Sequence, residues 1–348
     1  MCDDPDLKRG ISHCKDALGG VWATLSVADV EVSPISGGLT NYLYLCSLPS
    51  GVEPLNGEPR CVLLRIYGDI AKTSKEFVVH SSVVFALLSE KGMGPKLYGM
   101  YPEGRVEEYI PTKCLAREDL PKLFVEVARK LAQFHILDMP LCKDPRWLLD
   151  TIGGWLKEVD NNLTLDKCKK DEFVTKLRSF NLTQEYDILK EALSSVYSPV
   201  VFSHNDLQEG NILYFENCMT VIDWEYCSYN YRGFDLGNHF CEWSFGYSNP
   251  NHPYFFDVPE DYPSKEQQFK FFEEYLKETE KYNWPKCDLD QMYVEVNTYA
   301  LASHFLWGLW SILQNKMSHI EFGYMEYAVA RFERYFELKE MLKGLQQT

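Results

Sequence analysis

The 348-residue sequence has no apolar run long enough to span a bilayer, no C-x-x-C pair, no G-x-x-x-x-G-K-[S/T] and no internal repeat. Its most apolar stretch, Leu301 to Leu313, includes Ser303 and His304 and falls short of the roughly 20 residues of a spanning helix. Met1 to Gly10 is polar and acidic, without the apolar core of a signal peptide. The eleven cysteines are odd in number and scattered, which suits neither a disulfide framework nor a zinc site. A reduced, cytoplasmic protein is expected, with the N-x-T sequons at Asn162 and Asn181 as chance matches. Positive charge is also scarce: Lys+Arg is 35 against 51 Asp+Glu, a formal net charge of −16. That balance repels nucleic-acid backbones and anionic membranes at long range, so neither a nucleic-acid partner nor stable membrane insertion is expected. It suits a cationic small substrate and still permits a local pocket for a phosphorylated ligand.

What is present reads as an α+β chain of two lobes, at roughly 150 residues per domain. Val27 to Ile35 and Tyr42 to Leu48 alternate as strands on either side of Ser36-Gly37-Gly38-Leu39-Thr40-Asn41. Cys61 to Tyr67 reads as a buried strand, Phe77 to Leu88 as a helix stopped by Gly92 and Gly94-Pro95, and Arg105 to Ile110 as a further strand. After Pro111 the pattern turns helical, over Leu120 to Leu137, Phe269 to Leu276, Met292 to Leu313 and Tyr324 to Leu342. Two short β-like runs, Asn211 to Phe215 and Met219 to Ile222, interrupt it. The expected division is a small β-rich lobe over 1–110 and a large helical lobe over 111–348, with a hinge near 108–115.

The chemistry concentrates in His204-Asn205-Asp206-Leu207-Gln208-Glu209-Gly210-Asn211 and, beyond the next apolar strand, Asp223-Trp224-Glu225. An Asp followed five residues later by Asn, then a strand-terminal Asp, is the arrangement of kinases. One carboxylate meets the acceptor hydroxyl, while an amide and a second carboxylate supply the hard oxygens that Mg²⁺ prefers. Isolated, such residues also serve as turn and cap formers. The loop Ser36 to Asn41 has the backbone donors to cover phosphates and equally fits a glycine hairpin. Arg65 on the buried strand is the natural phosphate cation or a snorkelling strand residue. Tyr226, Tyr247, Trp307, Trp310 and Tyr327 form either core or, beside Glu242, a cage for a quaternary ammonium.

His204 to Leu213, Ile222 to Tyr226, Tyr229 to Trp243, Gly94 to Gly99 and Leu301 to Trp310 together resemble the choline/ethanolamine kinase family, from about Ile35 to Phe336. The resemblance implies a protein-kinase-like fold and phosphorylation of a small amino alcohol with Mg·ATP, the first step of a route to phosphatidylcholine. It implies Asp206 as catalytic base, Gln208 beside the reacting hydroxyl and phosphate, and Asn211 and Asp223 as Mg²⁺ ligands. The ATP site it implies comprises Ser36, Gly37, Gly38, Leu39, Thr40, Asn41, Tyr42, Arg65, Glu108, Tyr109 and Ile110, with Gln208 and Asp223. Tyr226, Glu242, Tyr247, Trp307, Trp310 and Tyr327, with Asp206, fall where the choline pocket lies, and Asp235 as an anchor of the catalytic loop. Gln208 to Asn211, Cys241-Glu242-Trp243 and the two tryptophans resemble the choline branch. An ethanolamine-preferring enzyme and a weakly active subunit of a kinase dimer are the alternatives; the family implies a homodimer or a heterodimer with a relative. Ser203 replaces a usual Cys and Trp224 a usual Phe. Where the family's helix carries a Glu that can pair with the phosphate-binding cation, this chain has Ser81, with Glu76 and Glu90 the nearest acids.

Overall fold

The computed structural model describes residues 5–35, 41–55, 57–68, 75–165, 172–284 and 287–346. The chain divides into two compact units, Met1–Lys113 with Thr220–Glu225, and Cys114–Met219 with Tyr226–Thr348. The expected split after residue 110 thus shifts to Lys113, and the segment carrying Asp223, expected with the helical lobe, returns to the first unit.

The first unit is built on an antiparallel sheet of β1 (Glu31–Ile35), β2 (Asn41–Ser47), β3 (Cys61–Tyr67), β4 (Leu97–Tyr101) and β5 (Gly104–Glu108), in the order β1-β2-β3-β5-β4. Alternation along β3 sends Val62, Leu64 and Ile66 to one face, where they bury against Leu7, Ile11 and Cys14 of α1 (Pro5–Leu18) and Trp22 of α2 (Gly20–Thr24). The N-terminal helix is missing from the sequence expectation. Its apolar residues recur at the helical spacing but are outnumbered by polar ones. The edge strand β4 was likewise unforeseen, and β5 stops at Glu108 rather than Ile110.

The opposite face of β3 carries Arg65, directly across from Arg105 of β5. Helix α3 (Lys75–Glu90) runs beyond the expected Phe77 to Leu88 at both ends. Trp224 is buried with its ring 4.9 Å from Phe85. A Cβ at Gly94 would lie 2.2 Å from that ring, so glycine leaves room for the indole.

The second unit is mostly helical: α4 (Phe124–His135), α5 (Trp147–Leu165), α6 (Glu172–Ser179) and α7 (Leu182–Ser194) precede a β-containing segment. That segment holds β6 (Val200–Ser203), β7 (Ile212–Phe215), β8 (Cys218–Val221, its last two residues counted with the first unit) and β9 (Ser228–Tyr231), with β6 paired to β9. Helices α8 (Arg232–Glu242), α9 (Lys265–Glu280), α10 (Leu289–Met317) and α11 (Tyr324–Gln346) follow. Helix α10 is buried from Val296 to Gln314 and packs on α8 and α11. A helix buried around its whole circumference belongs at the centre of a core. Its contact with α8 is close: a Cβ on Gly237 would stand 2.7 Å from the Val296 carbonyl oxygen. No helix among the described residues is long and apolar enough to cross a membrane.

Candidate active site

The expected site residues are shared between the units. In the first, Arg65 is nearly enclosed and has two carboxylate partners: its Nη1 donates to Asp223 Oδ1 at 3.1 Å, and its Nε donates to Glu107 Oε1 at 3.5 Å. Glu107 Oε2 accepts from Arg105 Nε at 2.7 Å. Burial alone would lower the Arg65 pKa, but the charges of Asp223, Glu107 and Glu225 hold it above the usual guanidinium range. Asp223 has a positive φ of 61°, sparsely populated for a residue with a side chain. Asn41 opens β2 and donates from Nδ2 to Glu225 Oε2 at 3.0 Å, while its Oδ1 accepts from the Gly68 amide at 3.3 Å.

Tyr42, next along β2, is exposed. Glu108 ends β5, with Oε2 accepting from the Lys96 amide at 3.0 Å; Tyr109 and Ile110 follow, half-buried, into a turn. Ser36, Gly37, Gly38, Leu39 and Thr40 lie outside the described residues. The acid sought near Ser81 is on a strand instead. Glu76 and Glu90 are exposed at opposite ends of α3, whereas Glu107 sits buried beside Arg65. Sequence reasoning missed Glu107 and Arg105, although their two-residue spacing on a strand was a usable signal that they share a face.

In the second unit, the loop after β6 is pinned from below by Asp235 at the first turn of α8. Its Oδ2 accepts from the His204 amide and its Oδ1 from the Asn205 amide, both at 2.7 Å. His135 Nε2 lies 2.9 Å from Asp235 Oδ2, and its Nδ1 2.9 Å from the Tyr275 hydroxyl. Burial would raise the Asp235 pKa; the hydrogen bond and charge of His135 outweigh it and keep the carboxyl low.

Asn205 takes a φ of 68° and ties the loop to the Tyr226 carbonyl and to Asn230. Asp206 follows, half-buried. Asn211 Nδ2 donates to the Asp206 backbone oxygen at 2.8 Å and to its Oδ2 at 3.1 Å, which orients the carboxylate. With both N–H groups so directed, the Asn211 side-chain oxygen is its atom suited to a cation. Asn211 and the carboxylate of Asp223 are hard oxygen donors of the kind Mg²⁺ takes. Gln208 caps the short turn through Gly210, its Oε1 accepting the Gly210 amide at 2.6 Å.

The aromatic candidates fall into two groups. Tyr226 meets Trp307 edge-on at 5.4 Å, and Trp307 meets Trp310 edge-on at 5.7 Å. Trp307 Nε1 donates to Asn238 Oδ1 at 2.7 Å. Glu242, Tyr247 and Tyr327 are gathered by a residue the sequence reading missed, Arg331. Its Nη2 donates to Glu242 Oε1 and to the hydroxyls of Tyr327 and Tyr247, at 2.5 and 3.2 Å. The Tyr247 hydroxyl in turn donates to Glu242 Oε2 at 2.7 Å.

Glu242, expected to attract a cation, is therefore already paired with a buried arginine. The spacing of Tyr327 and Arg331, four apart on α11, was the only local hint. Glu209 is a second buried carboxylate here: its Oε1 accepts from the Tyr247 amide at 3.2 Å, and its Oε2 has no hydrogen-bond partner among the described residues. Burial first, then the negative charge of Glu242, push its pKa up to about 8.

The sequence profile of one family, choline/ethanolamine kinase, matches residues 32–336. The chain is similar to a human protein named choline/ethanolamine kinase, with 45% identity covering 97% of this chain and 87% of that one. It is similar to mouse choline kinase alpha, with 43% identity over 96% of this chain and 81% of the other. In three dimensions it resembles a choline kinase from Cryptosporidium parvum, with a TM-score of 0.80 and 29% identity, covering 97% of this chain and 96% of that chain.

Proposed function

The chain belongs to the choline/ethanolamine kinase family, a family of phosphotransferases acting on an alcohol acceptor in phospholipid biosynthesis, and from that premise we propose that it transfers the γ-phosphate of ATP to the hydroxyl of choline, with some activity on ethanolamine. Its fold is that of protein-kinase-like phosphotransferases, a small β-rich part and a largely helical part.

The observation that carries the proposal is the Asp206 carboxylate, held by Asn211 on a loop that Asp235 anchors through two backbone amides. An oriented carboxylate can take the proton of an acceptor hydroxyl as the oxygen attacks phosphorus. Arg65, charged at any working pH, meets phosphate oxygens. Mg²⁺, held by Asn211 and Asp223, would neutralise charge on the transferred phosphoryl group. Tyr226, Trp307 and Trp310 would meet a trimethylammonium group, which has no N–H to donate, through their ring faces. Since Arg331 is paired with Glu242, recognition leans on the rings, and this supports choline over ethanolamine.

The test is ADP release from Mg·ATP with choline, ethanolamine or no acceptor. The expected result is strong release with choline, weaker release with ethanolamine and little without acceptor. Preference for ethanolamine would reverse the substrate assignment, and release independent of acceptor would reject the transferase reading.

A further inference from the structure

We propose that Glu107 is the positioning residue for Arg65, a carboxylate on strand β5 that aims the guanidinium at the nucleotide phosphates. It rests on the reading that Arg65 meets those phosphates. Three observations lead there. First, Arg65 and Arg105 are direct cross-strand partners, so two buried cations face one another on one side of the sheet, an arrangement that is unfavourable without an intervening anion. Glu107, two residues from Arg105, supplies it, and its two oxygens are divided between the two Nε atoms.

Second, the attachment is to the Nε edge of Arg65. A guanidinium is a planar fork, so holding Nε leaves the Nη end aimed away from Glu107 and restricts its rotation. That end already reaches Asp223, the candidate metal ligand. Third, the clamp is itself held. Arg105 lies over the Phe85 ring, 4.1 Å from its centroid, so Glu107 cannot swing toward solvent without breaking a buried pair. On helix α3 the buried residues Ser81 and Ser82 are neutral, and Ser82 shares a hydrogen bond of 3.3 Å with Tyr67.

A purely structural Glu107, present only to separate two arginines, is the competing account. A double-mutant cycle on the full chain distinguishes them. Wild type, Glu107→Gln, Arg65→Ala and the double variant are compared by the Kd for Mg·ATP, measured calorimetrically without acceptor, and by thermal melting. Loss of aim should raise the Kd roughly tenfold in Glu107→Gln and produce no further rise in the Arg65→Ala background, because the residue it acts through is gone.

An equal rise in both backgrounds, or a Kd within about twofold of wild type, overturns the positioning role. If Arg65→Ala alone leaves the Kd unchanged, the phosphate reading of Arg65 has failed, which is a separate result. Should Glu107→Gln not fold, Glu107→Asp keeps the charge but retracts it by one methylene. It should bind Mg·ATP more weakly than wild type, and unchanged binding overturns the proposal.

Discussion

Arg65 and Arg331 are both buried and both hydrogen-bonded to a carboxylate, yet they differ in what lies beyond the pair. The Asp223 side chain beside Arg65 is 23% exposed, and the cluster around it holds a surplus of acids. The Glu242 side chain beside Arg331 is 2% exposed, and among the described residues the other hydrogen-bond partners of that arginine's Nη2 are phenols. The first pair can exchange partners at modest cost, because Asp223 is part-solvated and Arg65 stays anchored through Glu107. The second cannot, because separating it strands a charge in a dry interior. One geometry thus suits a group that must meet an anion, and the other suits a group that cancels one and fixes the pocket's rings.

The largest expected effect concerns that asymmetry directly. Arg331→Met should destabilise the fold by about 3–5 kcal/mol, since it leaves Glu242 buried and uncompensated. Arg331→Met with Glu242→Gln should recover much of the loss, and Arg65→Met should cost clearly less than Arg331→Met. Chemical denaturation of the four proteins checks this, and equal losses for the two single variants would break the comparison.

The next separates chemistry from what either arginine does. Asp206→Ala should lower kcat by ~10²-fold or more while Mg·ATP still binds, because a base at the acceptor acts chiefly in the transition state. Near-normal turnover in the purified variant would reject the assignment.

The smallest effect sharpens the account of the paired Glu242. On the proposed choline reading, with Glu242 paired, the ring faces carry ammonium recognition, so Trp307→Ala should raise the KM for choline roughly five- to thirtyfold. The KM for ethanolamine should change less, and that for ATP hardly at all. The indole also donates to Asn238, so the variant's melting curve is recorded beside the kinetics. Equal losses for both amino alcohols would leave Trp307 as packing.

Much of the candidate site was legible because it is local. Asp206 and Asn211 share one turn of chain and are joined by a hydrogen bond, whereas Asp223 lies two residues beyond β8. The long apolar pattern of Met292 to Leu313 likewise announced a buried helix, which extends to Leu289–Met317. The N-terminal helix escaped because its few apolar residues are diluted by charge, and strand β4 because a five-residue edge strand with a glycine carries little pattern. Seeking the acid for Arg65 on α3 failed for a related reason. Sequence proximity to the expected helix position pointed to Glu76 and Glu90, while the sheet brought Glu107 from 42 residues away.

The chain's own pattern was enough for the β-rich and helical parts and for the turn that joins Asp206 to Asn211, since each depends on periodicity or on residues a few positions apart. Only folding decided which charges are spent. Arg331 and Glu242 stand 89 residues apart and become partners solely because α11 and α8 both pack on α10. In the sequence each looks like an ordinary charged residue. In the interior, where water is excluded, an unpaired charge is untenable, and so the tertiary packing settles which charged groups cancel one another and which remain for a ligand.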